Sequence, residues 1–201
     1  MKRAFRNTTL RASPYSTYQR GETFKKTDLS FIHFEEETNF TNATFEEVNL
    51  QGSRMEQPYM NGATFKKSNL QDIQIVNGHM STVRFDDSNL RNGNFHGSDM
   101  SDSVWLACDA QNANFENGYL NGSSCYNVNF TDANFANATL GNLIAWTDYR
   151  DEEIAIIKLE NCTFTNANFY KTILNLKEIA NSNFNGVDLQ SVRIYNMHRL
   201  Y

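Results

Sequence analysis

The side chains most able to do chemistry are few in this sequence, and their spacing does not suit a catalytic or metal site. The four histidines are His33, His79, His96 and His198, and none has a companion at the spacing of metal ligands. The sequence has no Gly-rich phosphate loop, no nucleophile elbow and no paired-histidine metalloprotease motif. We therefore predict a protein that is not an enzyme and uses no cofactor.

The three cysteines, Cys108, Cys125 and Cys162, predict neither a disulfide framework nor a zinc site. Their number is odd and their spacing follows no known ligand pattern. Free cysteine behaves as a small, buried, apolar residue, and it persists where the surroundings are reducing. We expect three buried thiols in a cytoplasmic protein.

Two short segments combine residue types that suit a protein interface. One joins an aromatic and arginine group to four acids, namely Trp146, Asp148, Tyr149, Arg150, Asp151, Glu152 and Glu153. The other is the acidic run Glu35, Glu36 and Glu37. Trp, Tyr and Arg are enriched among residues that dominate binding energy, so we predict that both segments bind a partner. Alternatively, both are insertions of the kind that repeat arrays tolerate.

The elements that position these segments follow from a period of five residues. An apolar residue, usually a large one, recurs at this spacing: Phe40, Phe45, Leu50, Met55, Met60, Phe65, Leu70, Ile75, Met80, Phe85, Leu90, Phe95, Met100, Trp105, Ala110, Phe115, Leu120, Cys125, Phe130, Phe135 and Leu140. The residue two positions earlier is generally small, with Pro58 and Ile73 as exceptions. Because neither a helix nor a strand has this period, the chain must turn a corner every five residues.

Residues twenty apart are also alike, which indicates four corners in each coil. Phe45, Phe65 and Phe85 share one column and Leu50, Leu70 and Leu90 share the next. A coil with four sides of five residues would place each such residue directly above its counterpart. The core would then be a stack of similar side chains.

The segments "NATF", "NANF", "DANF" and "NATL" resemble the A-(D/N)-(L/F)-x-x motif of the pentapeptide repeat family. This resemblance covers roughly residues 22–196 and implies an all-β fold, a right-handed quadrilateral β-helix of about eight to nine coils. We assign residues 1–21 to a basic arm or cap and residues 197–201 to a tail. The repeats between them, residues 22–196, carry irregularities near 35–39 and 141–153.

Charged and amide residues also recur from coil to coil. The pairs at 25–26, 46–47, 66–67 and 86–87 are Lys, Glu, Lys and Asp, which predicts alternating charges on one wall, with one extra residue near 33–40. Two amide ladders are predicted, one of Asp28, Asn49, Asn69, Asn89, Asp109 and Asn129 and one of Asn94, Asn114 and Asn134. The distance from Leu140 to Leu159 is nineteen residues, so we expect the frame to resume there one residue short. Phe164 and Phe184 would then rejoin the phenylalanine column, and residues 145–153 would bulge outward.

Charge limits the classes of function. The first 21 residues hold five basic side chains and no acid, at Lys2, Arg3, Arg6, Arg11 and Arg20. Subtracting their charge of +5 from the formal net charge of -5 leaves -10 for residues 22–201. This excess disfavours nucleic-acid binding, because phosphates must be neutralised by basic groups. No apolar run is long enough to span a membrane.

The resulting hypothesis is a scaffold that binds an unknown protein partner through its outer walls and the bulge. The basic leader suggests a variant in which the protein is exported as a bacterial effector. The alternative, which the family resemblance implies, is a DNA mimic that binds DNA gyrase or another type II topoisomerase and protects it from quinolones or toxins. The tail is compatible with a monomer, in which it caps the last coil, and with a homodimer formed through the C-terminal coil.

Overall fold

A computed structural model describes residues 20–145, 159–175, 179–191 and 193–195 of the chain. The strands are short: β1 Thr23–Lys25, β2 Thr44–Glu46, β3 Arg54–Glu56, β4 Thr64–Lys66, β5 Gln74–Val76, β6 Arg84–Asp86, β7 Val104–Leu106, β8 Ser124–Tyr126, β9 Ile144–Ala145, β10 Ile173–Asn175 and β11 Arg193–Tyr195. One 3-10 turn, Leu189–Ser191, precedes β11. No α-helix occurs in these ranges.

The strands form a four-sided parallel solenoid, as the sequence predicts. We number the faces in chain order. The first face holds the seven-stranded sheet β1-β2-β4-β6-β7-β8-β9, and the third holds the pair β3-β5. Parallel bridges connect successive coils on the second face from Asp28 to Asn129 and on the fourth face from Asn39 to Asn168. Every pairing joins one coil to the next, so each coil rests on its predecessor.

The predicted register of twenty residues is confirmed at the centre of the first face. Phe45 pairs with Phe65, and Phe65 pairs with Phe85. The ring centroids of Phe45 and Phe65 are 4.7 Å apart with 6° between the ring planes, and those of Phe65 and Phe85 are 5.2 Å apart with 14°. These distances match the spacing of neighbouring strands, so the backbone repeat sets the stacking of the rings.

The interior is filled by the two inward positions of each side. The apolar residues from Phe40 to Leu140 at five-residue spacing are at most 2% exposed. Serine at the smaller inward position is satisfied within the core. The Ser68 hydroxyl donates to the Phe45 carbonyl at 2.9 Å and accepts the Val48 N–H at 3.2 Å. Because buried hydroxyls cost little once they are hydrogen-bonded, the repeat accepts serine there as readily as alanine.

The corners explain why Asn, Asp and Gly are so frequent. A residue with positive φ follows most inward apolar residues by two positions, as at Asn42 (φ 57°), Asn77 (φ 53°) and Asn92 (φ 57°). Non-glycine residues rarely adopt this left-handed conformation, and Asn and Asp adopt it more readily than the rest. A four-sided coil needs such a residue at each corner, so the backbone selects these types.

Thr82 is a corner residue that does not suit its conformation, because it has a φ of 57° and a branched Cβ. We predict that Thr82→Asn raises the free energy of unfolding by about 1 kcal/mol, because asparagine adopts the left-handed conformation at a lower cost than a branched residue. Thr64→Asn, in strand β4, is the matched control, and there we expect no gain because strands favour threonine. Urea denaturation of both variants measures the effect, and equal changes would contradict the assigned role of the corner.

The predicted amide ladders are confirmed on two faces. On the second face, Asn69 donates to Asn49 at 3.1 Å and Asn89 donates to Asn69 at 3.2 Å. The third face has the bonds Asn94 to Gln74 at 3.1 Å, Asn114 to Asn94 at 3.0 Å and Asn134 to Asn114 at 3.1 Å. The acceptor oxygens also take a backbone N–H two residues on, as Asn69 does from Gln71. The side chains therefore join both neighbouring coils and the local turn.

The register changes at two places. His33 pairs with Arg54, an offset of twenty-one residues, whereas Asn39 pairs with Tyr59, an offset of twenty. The extra residue therefore lies between His33 and Asn39. There the Thr38 N–H and hydroxyl both donate to the Glu35 carbonyl, at 3.3 Å and 2.5 Å. These bonds close a tight turn around the extra residue.

The second change is larger than the sequence predicts. Cys125 pairs with Ala145 at the usual offset, but Asn134 pairs with Thr163 at an offset of twenty-nine. Nine additional residues therefore lie between Ala145 on the first face and Leu159 on the second. The predicted frame, one residue short, is wrong. Phe164 stacks on Phe135 of the third face, with 5.2 Å between centroids and 11° between planes, and does not join the column of Phe85.

All three cysteines are free and buried, as predicted. Burial raises the pKa of the Cys108 thiol and of the Cys162 thiol to about 12, and desolvation raises that of Cys125 as well. In the unfolded chain these thiols ionise near their ordinary value of 9.0, so above that pH the unfolded state binds fewer protons. Stability from the buried thiols is thus present below pH 9 and is lost as the pH rises toward 12.

We predict that the free energy of unfolding of the wild type falls more steeply from about pH 9 to 11 than that of C108A/C125A/C162A. Each buried thiol adds up to about 1.4 kcal/mol per pH unit to this slope. The two proteins have the same lysine and tyrosine residues, so the comparison isolates the thiols. Urea titrations at stepped pH measure the slopes. Equal slopes would mean that the thiols are not buried.

Candidate interaction surface

The predicted segment Trp146 to Glu153 lies outside the described residues, so its role stays a prediction. The register nevertheless locates its attachment points. Ala145 is the last residue of β9 on the first face, and the described chain resumes at Leu159. The next residue, Glu160, is bonded to the preceding coil, because its backbone carbonyl accepts the N–H of Asp132 at 3.0 Å. The segment therefore connects the first face to the second.

The other predicted segment, Glu35 to Glu37, is on the third face near the start of the solenoid. Glu36 accepts a bond from the Gln57 amide at 3.1 Å, and the Glu37 N–H donates to the Glu56 carbonyl at 3.1 Å. The side chains of Glu36 and Glu37 are exposed. The structure does not bring this run together with the attachment points at Ala145 and Leu159, which lie on other faces and several coils away.

The charge ladder on the first face is confirmed. Lys25 Nζ lies 2.9 Å from Glu46 Oε2, and Lys26 Nζ lies 3.6 Å from Glu47 Oε2. The hydrogen bond from Lys25 lowers the pKa of Glu46 and correspondingly raises the pKa of Lys25. Strand pairing places Lys66 between Glu46 and Asp86. These pairs are exposed, so they specify register more than they stabilise the fold.

The interior of the solenoid in the described ranges is densely filled. These ranges contain no group of three or more His, Cys, Asp or Glu side chains placed to hold a metal ion. Within the same ranges no helix is both long and apolar enough to cross a bilayer. The core around Leu120, Phe130 and Phe164 has an apolar space of about 10 Å³. That volume is close to the minimum for one water molecule and cannot admit a substrate.

The fourth face carries an exposed aromatic column that sequence reasoning missed. Its outward residues Tyr59, His79, Asp99 and Tyr119 are joined by successive bridges. The Tyr59 and His79 rings are stacked, with 4.8 Å between centroids and 10° between planes. Tyr119 is 51% exposed and Tyr59 is 36% exposed. The signal was present in the sequence as aromatic residues at multiples of twenty, just before the inward position.

A groove of about 560 Å³ runs beside this column, at the corner between the third and fourth faces. Its lining consists of Gln57, Asn77, Gly78, His79, Gly97, Asp99, Ser101 and Tyr119. Gly97 has a φ of 67°, and a Cβ at that position would overlap the Asn77 side-chain oxygen. Gly97 therefore makes room for the Asn77 side chain at this corner, and both residues line the groove.

The fourth face differs from the others in charge. Its pentapeptides between residues 38 and 142 contain no lysine or arginine, and their only charged residues are Asp99 and Asp102. Asn, Gly, Tyr and Ser fill twelve of the eighteen outward and corner positions. Antibody combining sites are enriched in the same four types, in which tyrosine gives contact area and the small polar residues give adaptable hydrogen bonds.

Comparison with known families agrees with this geometry. Models described as pentapeptide repeats match residues 23–64 and residues 108–142. The chain is a pentapeptide repeat protein. In this pentapeptide repeat protein the matched ranges fall within the solenoid on either side of residues 65–107, which have the same register. No curated protein matches the chain by sequence.

Several solved structures are similar to this pentapeptide repeat protein. HetL from Nostoc sp. strain PCC 7120, described as involved in heterocyst differentiation regulation, is 14% identical with a TM-score of 0.47, and the match covers 95% of this chain and 91% of HetL. A pentapeptide repeat protein from Cyanothece 51142 is 17% identical with a TM-score of 0.46, over 54% of this chain and 87% of that one. Trypsin-treated QnrB1, a plasmid-mediated fluoroquinolone resistance protein, is 14% identical with a TM-score of 0.41, over 89% and 85%.

Proposed function

We propose that this pentapeptide repeat protein is a non-enzymatic scaffold that binds a protein partner through its fourth face. The observation that carries the proposal is the composition of that face, with exposed Tyr59 and Tyr119 among small polar residues and without lysine. Lysine is depleted at protein interfaces, whereas tyrosine is enriched. The face is held by coil-to-coil bridges from Asn39 to Asn168, so little conformational freedom is lost on binding.

The filled core supports binding on the outside of the solenoid. Small-molecule sites need a concave, preformed cavity of several hundred Å³. The interior space near Leu120 and Phe164 is about 10 Å³, and the larger groove beside Tyr119 is open to solvent. A rigid wall whose rungs repeat at the strand spacing suits a partner that contacts several coils at once.

Site-specific photo-crosslinking tests the proposal. Benzoylphenylalanine replaces Tyr119 on the fourth face or Gln71 on the second, and each protein is irradiated in extract from cells that express the chain. We expect one protein to crosslink from position 119 and not from position 71. In a pull-down of the crosslinked partner by the unlabelled protein, Y59A/Y119A should lower its recovery at least tenfold, whereas Tyr126→Ala on the first face should not. Equal crosslinking from both positions would contradict the assignment.

The segment from Trp146 to Glu153 remains a second proposed contact. Removing residues 148–156 restores a twenty-residue coil and leaves Ile157 and Lys158 at an inward and an outward position of the repeat. We expect the shortened protein to fold with nearly unchanged stability, because the cost of a surface loop depends weakly on its length. If the shortened variant no longer binds the partner and Y59A/Y119A binds it as the wild type does, the binding site is the segment and not the fourth face.

The topoisomerase alternative has one observation in its favour, the net charge of -10 over residues 22–201 that follows from the composition. The arrangement of charge opposes it. Lys25 and Lys26 pair with Glu46 and Glu47, so the first face offers no continuous line of negative charge. A supercoiling assay with purified gyrase decides between the two. Inhibition or protection at micromolar protein would favour the DNA mimic over the scaffold.

The exported-effector variant rests on the basic leader, which lies outside the described residues except for Arg20 and Gly21. It is tested by fusing residues 1–21 to a reporter. Export of the reporter would support the variant, and retention in the cell would remove it. Neither result bears on which face binds the partner.

A further inference from the structure

The aromatic column of the fourth face has one rung without a ring. Tyr59 and His79 stack at 4.8 Å, and Tyr119 lies two rungs above His79 with Asp99 between them. Two rungs of a parallel ladder span about 10 Å. The aspartate side chain ends at its carboxylate, whereas imidazole and phenol rings are longer. The space between His79 and Tyr119 is therefore a slot with a carboxylate at its base, and it opens into the groove.

Asp99 retains capacity to accept a hydrogen bond. Its Oδ1 accepts the Ser101 N–H at 3.0 Å and the Ser101 hydroxyl at 2.6 Å. Within the described part of the chain, its Oδ2 accepts no hydrogen bond and no lysine or arginine pairs with it. Asp109, by comparison, is an outward acid on the second face that pairs with Arg91 at 2.9 Å. Asp99 is thus a half-buried carboxylate with one oxygen open to a hydrogen-bond donor from a partner.

The surroundings favour a cation from outside. Between residues 38 and 142 the fourth face has no lysine or arginine, its one histidine is His79, and Asp102 adds a second negative charge at the adjacent corner. Aromatic faces also attract cations through their quadrupole. Charge and ring geometry therefore select the same kind of group, a planar cation that stacks between rings and donates to a carboxylate.

We propose that the slot formed by His79, Asp99 and Tyr119 binds an arginine side chain of a partner protein. The proposal rests on the scaffold function and names the chemistry of the partner. A guanidinium in the vacant rung would lie about 4.8 Å from the ring level on either side, the spacing that Tyr59 and His79 already show. Its N–H groups would donate to Asp99 Oδ2. Lysine fits less well, because an ammonium group has no plane to stack.

An NMR titration of the full-length protein with the peptide acetyl-Gly-Arg-Gly-amide tests this. We expect saturable shifts at the backbone amides of His79, Asp99 and Tyr119. The citrulline peptide, which has the same shape without the charge, should bind at least tenfold more weakly, and the lysine peptide should be intermediate. Equal shifts with citrulline, or no saturable shift with arginine, would overturn the proposal. Stronger binding of cellobiose would overturn it in favour of a carbohydrate site.

Three variants distinguish binding in the slot from non-specific attraction to the negative charge of the fourth face. Asp99→Asn should weaken the arginine peptide at least tenfold, because a charge-assisted hydrogen bond is lost. Tyr119→Ala should weaken it several-fold through lost stacking. Asp102→Asn removes the same charge one corner away and should change the affinity less than twofold. An Asp102→Asn effect as large as that of Asp99→Asn would mean non-specific attraction and would contradict the slot.

The proposal of the arginine slot and the proposal of the scaffold function can be contradicted independently. If a partner is crosslinked from position 119 and Asp99→Asn leaves its affinity unchanged, the scaffold stands and the arginine slot is wrong. If the arginine peptide titrates as expected and no protein crosslinks from position 119, the slot is a binding site and the proposed scaffold function is wrong.

Discussion

Phe85→Ala is expected to lower the free energy of unfolding by about 3–5 kcal/mol, the range for removing a fully buried phenylalanine side chain. Phe85 is fully buried and its ring lies 5.2 Å from Phe65 and 4.4 Å from Trp105. The coils above and below are fixed by their own bridges, so the core cannot collapse into the space that is left. Such a loss is a large part of the stability of an ordinary domain.

The chain offers a matched control for this variant. Phe31 is 61% exposed, and its ring lies over Gly52 at a corner of the solenoid. Phe31→Ala makes the same chemical change on the surface and should cost less than about 1 kcal/mol. Urea unfolding followed by circular dichroism measures both. Similar losses at Phe31 and Phe85 would contradict the assignment of Phe85 to the core.

Leu70→Lys is expected to unfold the protein or to cost more than about 4 kcal/mol, because it puts an unpaired charge among apolar side chains. Leu70 is fully buried in the column of Leu50 and Leu90. The adjacent Gln71 faces outward, so Gln71→Lys introduces the same group on the same coil and should change stability by less than about 0.5 kcal/mol.

Circular dichroism and thermal unfolding of both lysine variants give the result. A folded Leu70→Lys protein with a stability near that of Gln71→Lys would mean that position 70 is not inward. The five-residue assignment of inward and outward positions would then be wrong for this part of the chain.

Most of the fold could be predicted because the repeat acts at two levels. A period of five residues identified the inward side chains, such as Phe65 and Leu70, and a period of twenty placed like residues above one another. The amide ladders followed from the same spacing. These predictions are confirmed because stacking coils at the strand spacing leaves each column of side chains little choice of neighbour.

The insertion after Ala145 could not be placed from sequence, for a physical reason. All four faces accept the same pentapeptide, so the pattern shows where Leu159 lies within its repeat and not which face it joins. Only the backbone pairing of Asn134 with Thr163 distinguishes the faces, and it gives an offset of twenty-nine residues. The predicted coil of nineteen residues from Leu140 to Leu159 placed Leu159 at the same position within a pentapeptide, but on the wrong face.

The groove on the fourth face was also beyond sequence reasoning. Its lining brings together Asn77, Gly97 and the rungs of His79, Asp99 and Tyr119, which are separated by up to forty-two residues in the chain. Clusters of charged and aromatic residues are visible in a sequence only where they are contiguous, as in the segment from Trp146 to Glu153. In a solenoid, by contrast, a surface is assembled from residues twenty apart, so single residues of ordinary type can form a site together.

The most direct test of the twenty-residue coil is disulfide trapping between outward residues. Thr64 and Arg84 are paired neighbours on the first face, so their Cα atoms lie at the strand spacing, within the range that a disulfide spans. T64C/R84C should form a crosslink under mild oxidation, whereas T64C/Q74C, which joins the first face to the third, should not. Mass spectrometry of the oxidised protein reads the result. Crosslinking of the ten-residue pair without the twenty-residue pair would contradict the four-sided coil.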